Sequence, residues 1–224
     1  MLRPKYIRRL AFFASLGAAS TAWSTGVGVA VFVSGDVWRM ENDRPLAIDN
    51  GAAINEDARY KTGSNGHLYM KMNDGGLFIL RPNSEGYVRR YQYDPATPQA
   101  SQIKFELLGG VARAVSGKGS KAAPEKFRFN TPIAAIGVRG TDFTVFTTAE
   151  ATRVAVSEGA VVFSPLTHGC RPEDFGPCNI PLAQVLDANR HEIFEIRKGE
   201  NQIRREPAKN GEPLERLSPV PAPR

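Results

Sequence analysis

Two cysteines and three histidines are all that 224 residues offer of the side chains that most often hold metals or start covalent chemistry. His67, His168 and His191 form no HExxH: His191-Glu192 runs on into Ile193, Phe194 and Glu195, without the second His that a zinc-binding helix face needs. No GxSxG is present to expose a serine nucleophile. The glycine-rich turn Asn73 to Gly76 lacks the Lys-Ser/Thr of a phosphate loop. Carboxylates stand side by side at Glu56/Asp57 and Glu173/Asp174, as exposed loops commonly show them. No residue is assigned a catalytic or metal-binding role, no cofactor is implied, and the chain reads as a non-enzyme. The alternative is an extracytoplasmic polysaccharide-active enzyme with a carboxylate pair brought together on a β scaffold.

Excess positive charge is also scarce where it would matter. The formal net charge is +6, but Arg3, Lys5, Arg8 and Arg9 stand among the first 22 residues with no acid; without those four charges the remainder carries +2. That is too little to track a phosphate backbone, so nucleic acid is not an expected partner. The same basic start precedes an unbroken apolar and small-residue run, Leu10 to Trp23, with small residues at the −3 and −1 places (Ser20 and Ala22, or Ala22 and Ser24). This is the layout of a secretory signal peptide. A spanning helix needs about 17–25 apolar residues, which the run does not reach, so no stable membrane insertion is expected after cleavage. The expected location is periplasmic or secreted.

Long apolar stretches of period 3.6 are missing from residues 25 to 165. Short ones broken by turn residues take their place. Leu68, Met70 and Met72 alternate with His67, Tyr69 and Lys71, the period-two mark of a half-buried strand. Asn73-Asp74-Gly75-Gly76 then supplies residues that tolerate the left-handed backbone of a tight hairpin, and Leu77 to Leu80 ends at Arg81-Pro82. Gly28 to Val33, Phe105 to Val115, Phe127 to Phe129, Phe143 to Phe146, Val154 to Val156 and Val161 to Phe163 are rich in Val and Phe and read as further strands. Pro181 to Ile196 reads as two strands around Asp187-Ala188-Asn189. The class is all-β. The chain divides into a leader (1–24), a β domain (25–205) and a Pro-rich solvated tail (206–224) that cannot bury enough apolar area to order itself.

The stretch Thr131 to Phe143, TPIAAIGVRGTDF, resembles the signature segment of the FecR domain family. The flanks are similar to that family too: Asn50 to Gly63 followed by Asp74 to Glu85 (DGGLFILRPNSE), Leu107 to Arg113 (LLGGVAR), and Ser157 to Val161 (SEGAV), so the likeness runs from about Gly28 to Phe163. Within the signature Thr131-Pro132 enters an extended segment, Ala134 and Ala135 allow close backbone approach, and Gly137 and Gly140 permit a bulge or corner. The residues Thr131, Pro132, Gly137, Val138, Arg139, Gly140, Thr141 and Phe143 are expected to be structural. Arg139 is expected to reach Asp142 or Glu158 in a buried pair; anion binding is its alternative.

The resemblance implies a compact, solenoid-like stack of sheets with few or no helices. It also implies a stand-alone, exported binding or scaffolding module in envelope sensing or signalling, with an envelope protein or cell-surface glycan as partner. The anti-sigma activity of membrane-spanning members is not carried over. One covalent feature follows from the address. Cys170 and Cys178 close the loop CRPEDFGPC, and an exported chain meets an oxidising compartment, so a disulfide is expected. A metal site using both thiolates with His168 and His191 is the rival, although the spacing fits no common zinc pattern.

Overall fold

The computed structural model describes residues 26–167, 169–200 and 202–208. The leader expected at 1–24 and most of the tail expected at 206–224 lie outside the described residues, as does His168. Eight short strands come first: β1 (Gly28–Ser34), β2 (Val37–Glu41), β3 (Arg44–Ala47), β4 (Ala53–Ile54), β5 (Ala58–Thr62), β6 (His67–Met72), β7 (Leu77–Leu80) and β8 (Glu85–Gln92). A long strand, β9 (Gln102–Val115), leads through one short helix, α1 (Lys118–Ala122), to β10 (Phe127–Asn130). Two more long strands follow, β11 (Ala134–Thr147) and β12 (Ala151–Pro165), then β13 (Gln184–Asp187), β14 (Glu192–Arg197) and β15 (Arg204–Pro207). The all-β class holds.

All fifteen strands belong to one open, mixed sheet. Three long strands fold it into two layers. The first half of β9 pairs with β8 and β10, and its second half with β7 and β11. Likewise β12 pairs with β14 through its first half and with β13 through its second. One layer therefore runs β4-β1-β6-β7 and on through the long strands to β14-β15; the other runs β3-β2-β5-β8 and on through them to β13. Sheets that share strands in this way turn their corners at bulges or bends. The solenoid-like expectation finds no support in this pairing, because every pair is antiparallel except β9 with β10.

The sequence separates Phe143–Phe146 from the run before it, and Val154–Val156 from Val161–Phe163. The structure joins each into one strand bent at a glycine. In β11 the register shifts between Arg139 and Asp142, and Gly140 has φ +62°. Beside it in β12, Gly159 has φ +72°, and a Cβ there would fall inside the contact distance of the Gly140 carbonyl oxygen. A glycine inside a strand pattern marks a bend or a close backbone approach; here it marks both.

Alternation in the strands sends one side of each into the space between the layers. Leu68, Met70 and Met72 are buried as their spacing predicts. Phe78 of β7 stacks on Phe105 of β9 at 4.7 Å between ring centres and meets Phe129 of β10 edge-on at 5.9 Å. Phe129 in turn meets Phe143 of β11 at 5.5 Å. Aromatic contacts of this kind add about 0.5–1.5 kcal/mol each beyond the area they bury.

The hairpin turn predicted at 73–76 joins β6 to β7, and it carries a second task. Asp74 is buried; its carboxylate accepts from the N–H of Gly76 (2.9 Å) and of Gly119 in α1 (3.1 Å), and its own N–H donates to the Tyr91 hydroxyl oxygen (3.0 Å). Burial, with the Asp74 carboxylate as a second cause, pushes the Tyr91 phenol well above its ordinary value of 10.0. The folded protein therefore holds this proton more tightly than the unfolded chain. The associated stability is fully present below about pH 10 and is lost as pH rises further towards the folded-state value. Wild-type protein should lose stability faster than Tyr91→Phe between about pH 10 and 11, while Tyr91→Phe costs about 1 kcal/mol at neutral pH for the missing hydrogen bond. Denaturant titrations at pH 7, 10 and 11 check this. Parallel curves would show that Tyr91 is not the linked group.

Candidate partner-binding face

The signature segment lies mostly inside. Thr131 is buried; its Oγ1 accepts from the Ala134 N–H (2.9 Å) and shares a hydrogen bond with Thr152 Oγ1 (2.8 Å), which also reaches Thr147 Oγ1 (2.8 Å). Ala134, Ala135, Ile136, Val138 and Phe143 are buried, and Thr141 donates its N–H to Ser116 Oγ (3.0 Å). Pro132, Arg139 and Gly140 are exposed. The buried pair expected of Arg139 is not formed. The bend at Gly140 leaves Arg139 pointing to solvent, and Asp142 pairs instead with Arg113, from the Leu107–Arg113 strand of the same resemblance (Nε to Oδ1 2.8 Å). Sequence reasoning missed this partner because it lies across the β9–β11 pairing, 29 residues away.

Cys170 and Cys178 are bonded to each other, with Cα atoms 5.4 Å apart. Their thiolates are therefore not available to the rival metal site, and among the described residues no group of three or more His, Cys, Asp or Glu is placed to hold a metal ion. The closed loop lies against the outer face of β9 and β10. Lys104 donates to the carbonyls of Pro172 (3.2 Å) and Glu173 (2.6 Å), and Asn130 Nδ2 donates to Pro172 O (2.7 Å). Pro177 rests on Gly137, where an added Cβ would come within 2.6 Å of the proline. That close approach gives Gly137 its reason to be glycine.

The adjacent carboxylates of the sequence are each engaged. Glu56 accepts from Arg90 (2.8 Å) and from the Tyr91 N–H (3.0 Å), and Asp57 accepts from the Tyr87 hydroxyl. Asp174 is tied to Arg171 by a side-chain bond (3.1 Å) and a backbone bond (3.0 Å), which hold its carboxyl below the usual value, the backbone bond most. Glu173 faces the same arginine at 3.5 Å. Groups bound in this way position backbone and side chains.

On the outer face of β2, β5, β8 and β9 the layer is open. Register places Trp38, Lys61, Glu85 and Gly109 in one row across these four strands. Between Gly109 and Leu107 the register shifts, so Leu108 is the extra residue of a β-bulge and stands 37 % exposed. Bulges re-aim side chains, and this one puts an apolar side chain on the wall of a groove of about 400 Å³ shared with Trp38, Lys61 and Glu85. Ion pairs rim it: Lys61–Glu85 at 3.7 Å and Arg59–Glu85 at 3.8 Å. Tyr87 lies one row away with the Arg89 guanidinium 3.9 Å from its ring centre. An aromatic and an aliphatic side chain inside a charged rim is the composition of a binding hot spot. The alternation Val37-Trp38 was a signal for the Trp; nothing in the sequence marks the bulge.

The FecR protein family model matches residues 58–162. The chain carries a FecR domain. The match begins with β5 and ends inside β12, so it takes in the signature and the flanks from Asp74 to Val161; the part of the likeness read from Gly28 to Asp57 lies outside it. Trp38 thus stands before the matched stretch and Leu108 within it. Two crystal structures of a candidate anti-sigma factor from Parabacteroides distasonis align with a TM-score of 0.45 at 18 % identity, over 66 % of this chain and 59 % of that one. The chain therefore spans less than two thirds of that structure's length. Among curated proteins there is no match.

Proposed function

We propose that the chain is an exported, non-catalytic FecR-domain module of envelope sensing or signalling that binds a protein or glycan partner through the Trp38–Leu108 groove. The groove itself carries the reading: a half-buried Trp and a bulge-presented Leu stand open on a face whose charges are otherwise paired. The basic, apolar and small-residue start of the sequence and the Cys170–Cys178 bond favour an oxidising, extracytoplasmic setting. Among the described residues no helix is long and apolar enough to cross a membrane. The signature segment, in this reading, serves the fold: it turns the corner of β11 and seats the disulfide loop.

Trp38→Ala combined with Leu108→Ser should weaken partner capture from envelope extract, or glycan retention on an array, by more than about tenfold. Its melting temperature should stay close to that of the wild type, since both side chains are on the outside. Undiminished binding by the double variant would place the partner elsewhere.

A further inference from the structure

The disulfide loop covers an electrostatic vacancy. Arg128 is 1 % exposed and Lys104 4 % exposed, and the two are register partners on neighbouring strands. Among the described residues no carboxylate makes an ion pair with either. Lys104 has only the two loop carbonyls and the Phe175 ring, 4.3 Å from its Nζ. Arg128 directs Nη1 at the bridge itself, 2.9 Å from Cys178 Sγ and 3.6 Å from Cys170 Sγ, while its Nε has no partner. A buried guanidinium is costly unless it meets a negative charge or full hydrogen bonding, and disulfide sulfurs are weak acceptors. Burial draws both cations below their ordinary values, and for Lys104 the neighbouring Arg128 adds to the effect.

One event would supply the missing charge from within. We infer that the Cys170–Cys178 bridge is an exchangeable, redox-responsive bond whose reduced form is held by an ion pair between Arg128 and the Cys178 sulfur. The electron source is an external dithiol. Its thiolate attacks Cys170 Sγ, the sulfur–sulfur bond breaks, and Cys178 leaves as a thiolate against the Arg128 guanidinium. The second thiol of the reductant then attacks its own sulfur in the mixed disulfide and expels Cys170, which takes a proton. The reductant departs as a disulfide, two electrons have passed to the protein, and one of the dithiol's two protons goes to solvent. Cys170 is reached by local opening of the loop, whose Arg171, Pro172 and Glu173 are exposed.

A thiolate beside Arg is favoured, and a disulfide whose reduced form is stabilised is the easier to reduce. The charged groups around the sulfurs are Arg128 and Lys104 on the strands, with Glu106 beyond them, and Arg171, Glu173 and Asp174 on the loop. Asp174 acts against the thiolate but is already engaged by Arg171.

The test is a redox titration of the full exported chain in dithiothreitol buffers of graded oxidised-to-reduced ratio, read by alkylation and mass spectrometry. Wild-type protein should reach half-reduction at a ratio at least about tenfold more oxidising than Arg128→Met, with Arg128→Lys between them. In reduced wild-type protein, alkylation of Cys178 should rise with a midpoint well below the roughly 8.5 of a free thiol. A bridge that resists reduction until the protein unfolds would overturn the inference. So would equal half-reduction points for wild type and Arg128→Met. If Arg128→Met fails to fold, the wild-type alkylation profile decides: a Cys178 midpoint at or above about 8.5 rejects the ion pair.

Discussion

Truncating Phe129 to Ala should cost about 3–5 kcal/mol of folding stability, the range for removing a fully buried aromatic ring. The ring is 0 % exposed and comes from β10, a strand of four residues that are all buried. It touches Phe78 from one side and Phe143 from the other, each from the opposite layer. Its loss would open a cavity in a closely packed interior where the long strands, fixed by pairing on both sides, cannot collapse inward. Chemical denaturation should show a lowered midpoint with an unchanged slope. A loss below about 1 kcal/mol would mean that the layers are not packed through this ring.

Gly159→Ala is expected to be nearly as damaging, at about 3 kcal/mol, for reasons that have nothing to do with volume in the core. A left-handed backbone costs an L-residue about 1–2 kcal/mol. The added Cβ would also press on the Gly140 carbonyl oxygen, which is backbone in a paired strand and cannot swing away. Gly199→Ala is the control: its φ of +78° imposes the same backbone strain, but nothing lies within 4 Å of the new atom. The difference between the two variants in thermal or denaturant unfolding measures the contact at the corner. Equal losses would show that β11 and β12 do not bend against each other there.

The strand class was legible because alternation is a local property. Leu68, Met70 and Met72 announce their burial by spacing alone, and Asn73 to Gly76 announce a turn by backbone chemistry. The disulfide was legible from compartment logic and loop length. What escaped was everything that depends on which strand lies next to which. Gly140 reads as a bulge or corner and is one, but Gly159 reads as lying between two strands, since a sequence cannot show whether a glycine stops a ladder or bends it. Arg139 looked paired with Asp142 or Glu158, whereas Asp142 found Arg113 across the sheet. Arg128 gave no sign of its burial, because the loop that covers it arrives more than forty residues later. The groove at Trp38 depends on a register shift at Leu108, and register is set by partners and turns, not by the residues shifted.

The proposal that this is an exported module acting through the Trp38–Leu108 face is tested most directly by site-specific photo-cross-linking in living cells. A cross-linking residue is placed at Leu108 in one strain and at Lys71, exposed on the other layer, in a second. One discrete adduct is expected from the Leu108 position, recovered in the envelope or medium on a chain whose N-terminus begins near Trp23 or Thr25. None is expected from Lys71. Equal adducts from both positions, or an intact Met1 chain confined to the cytosol, would contradict it.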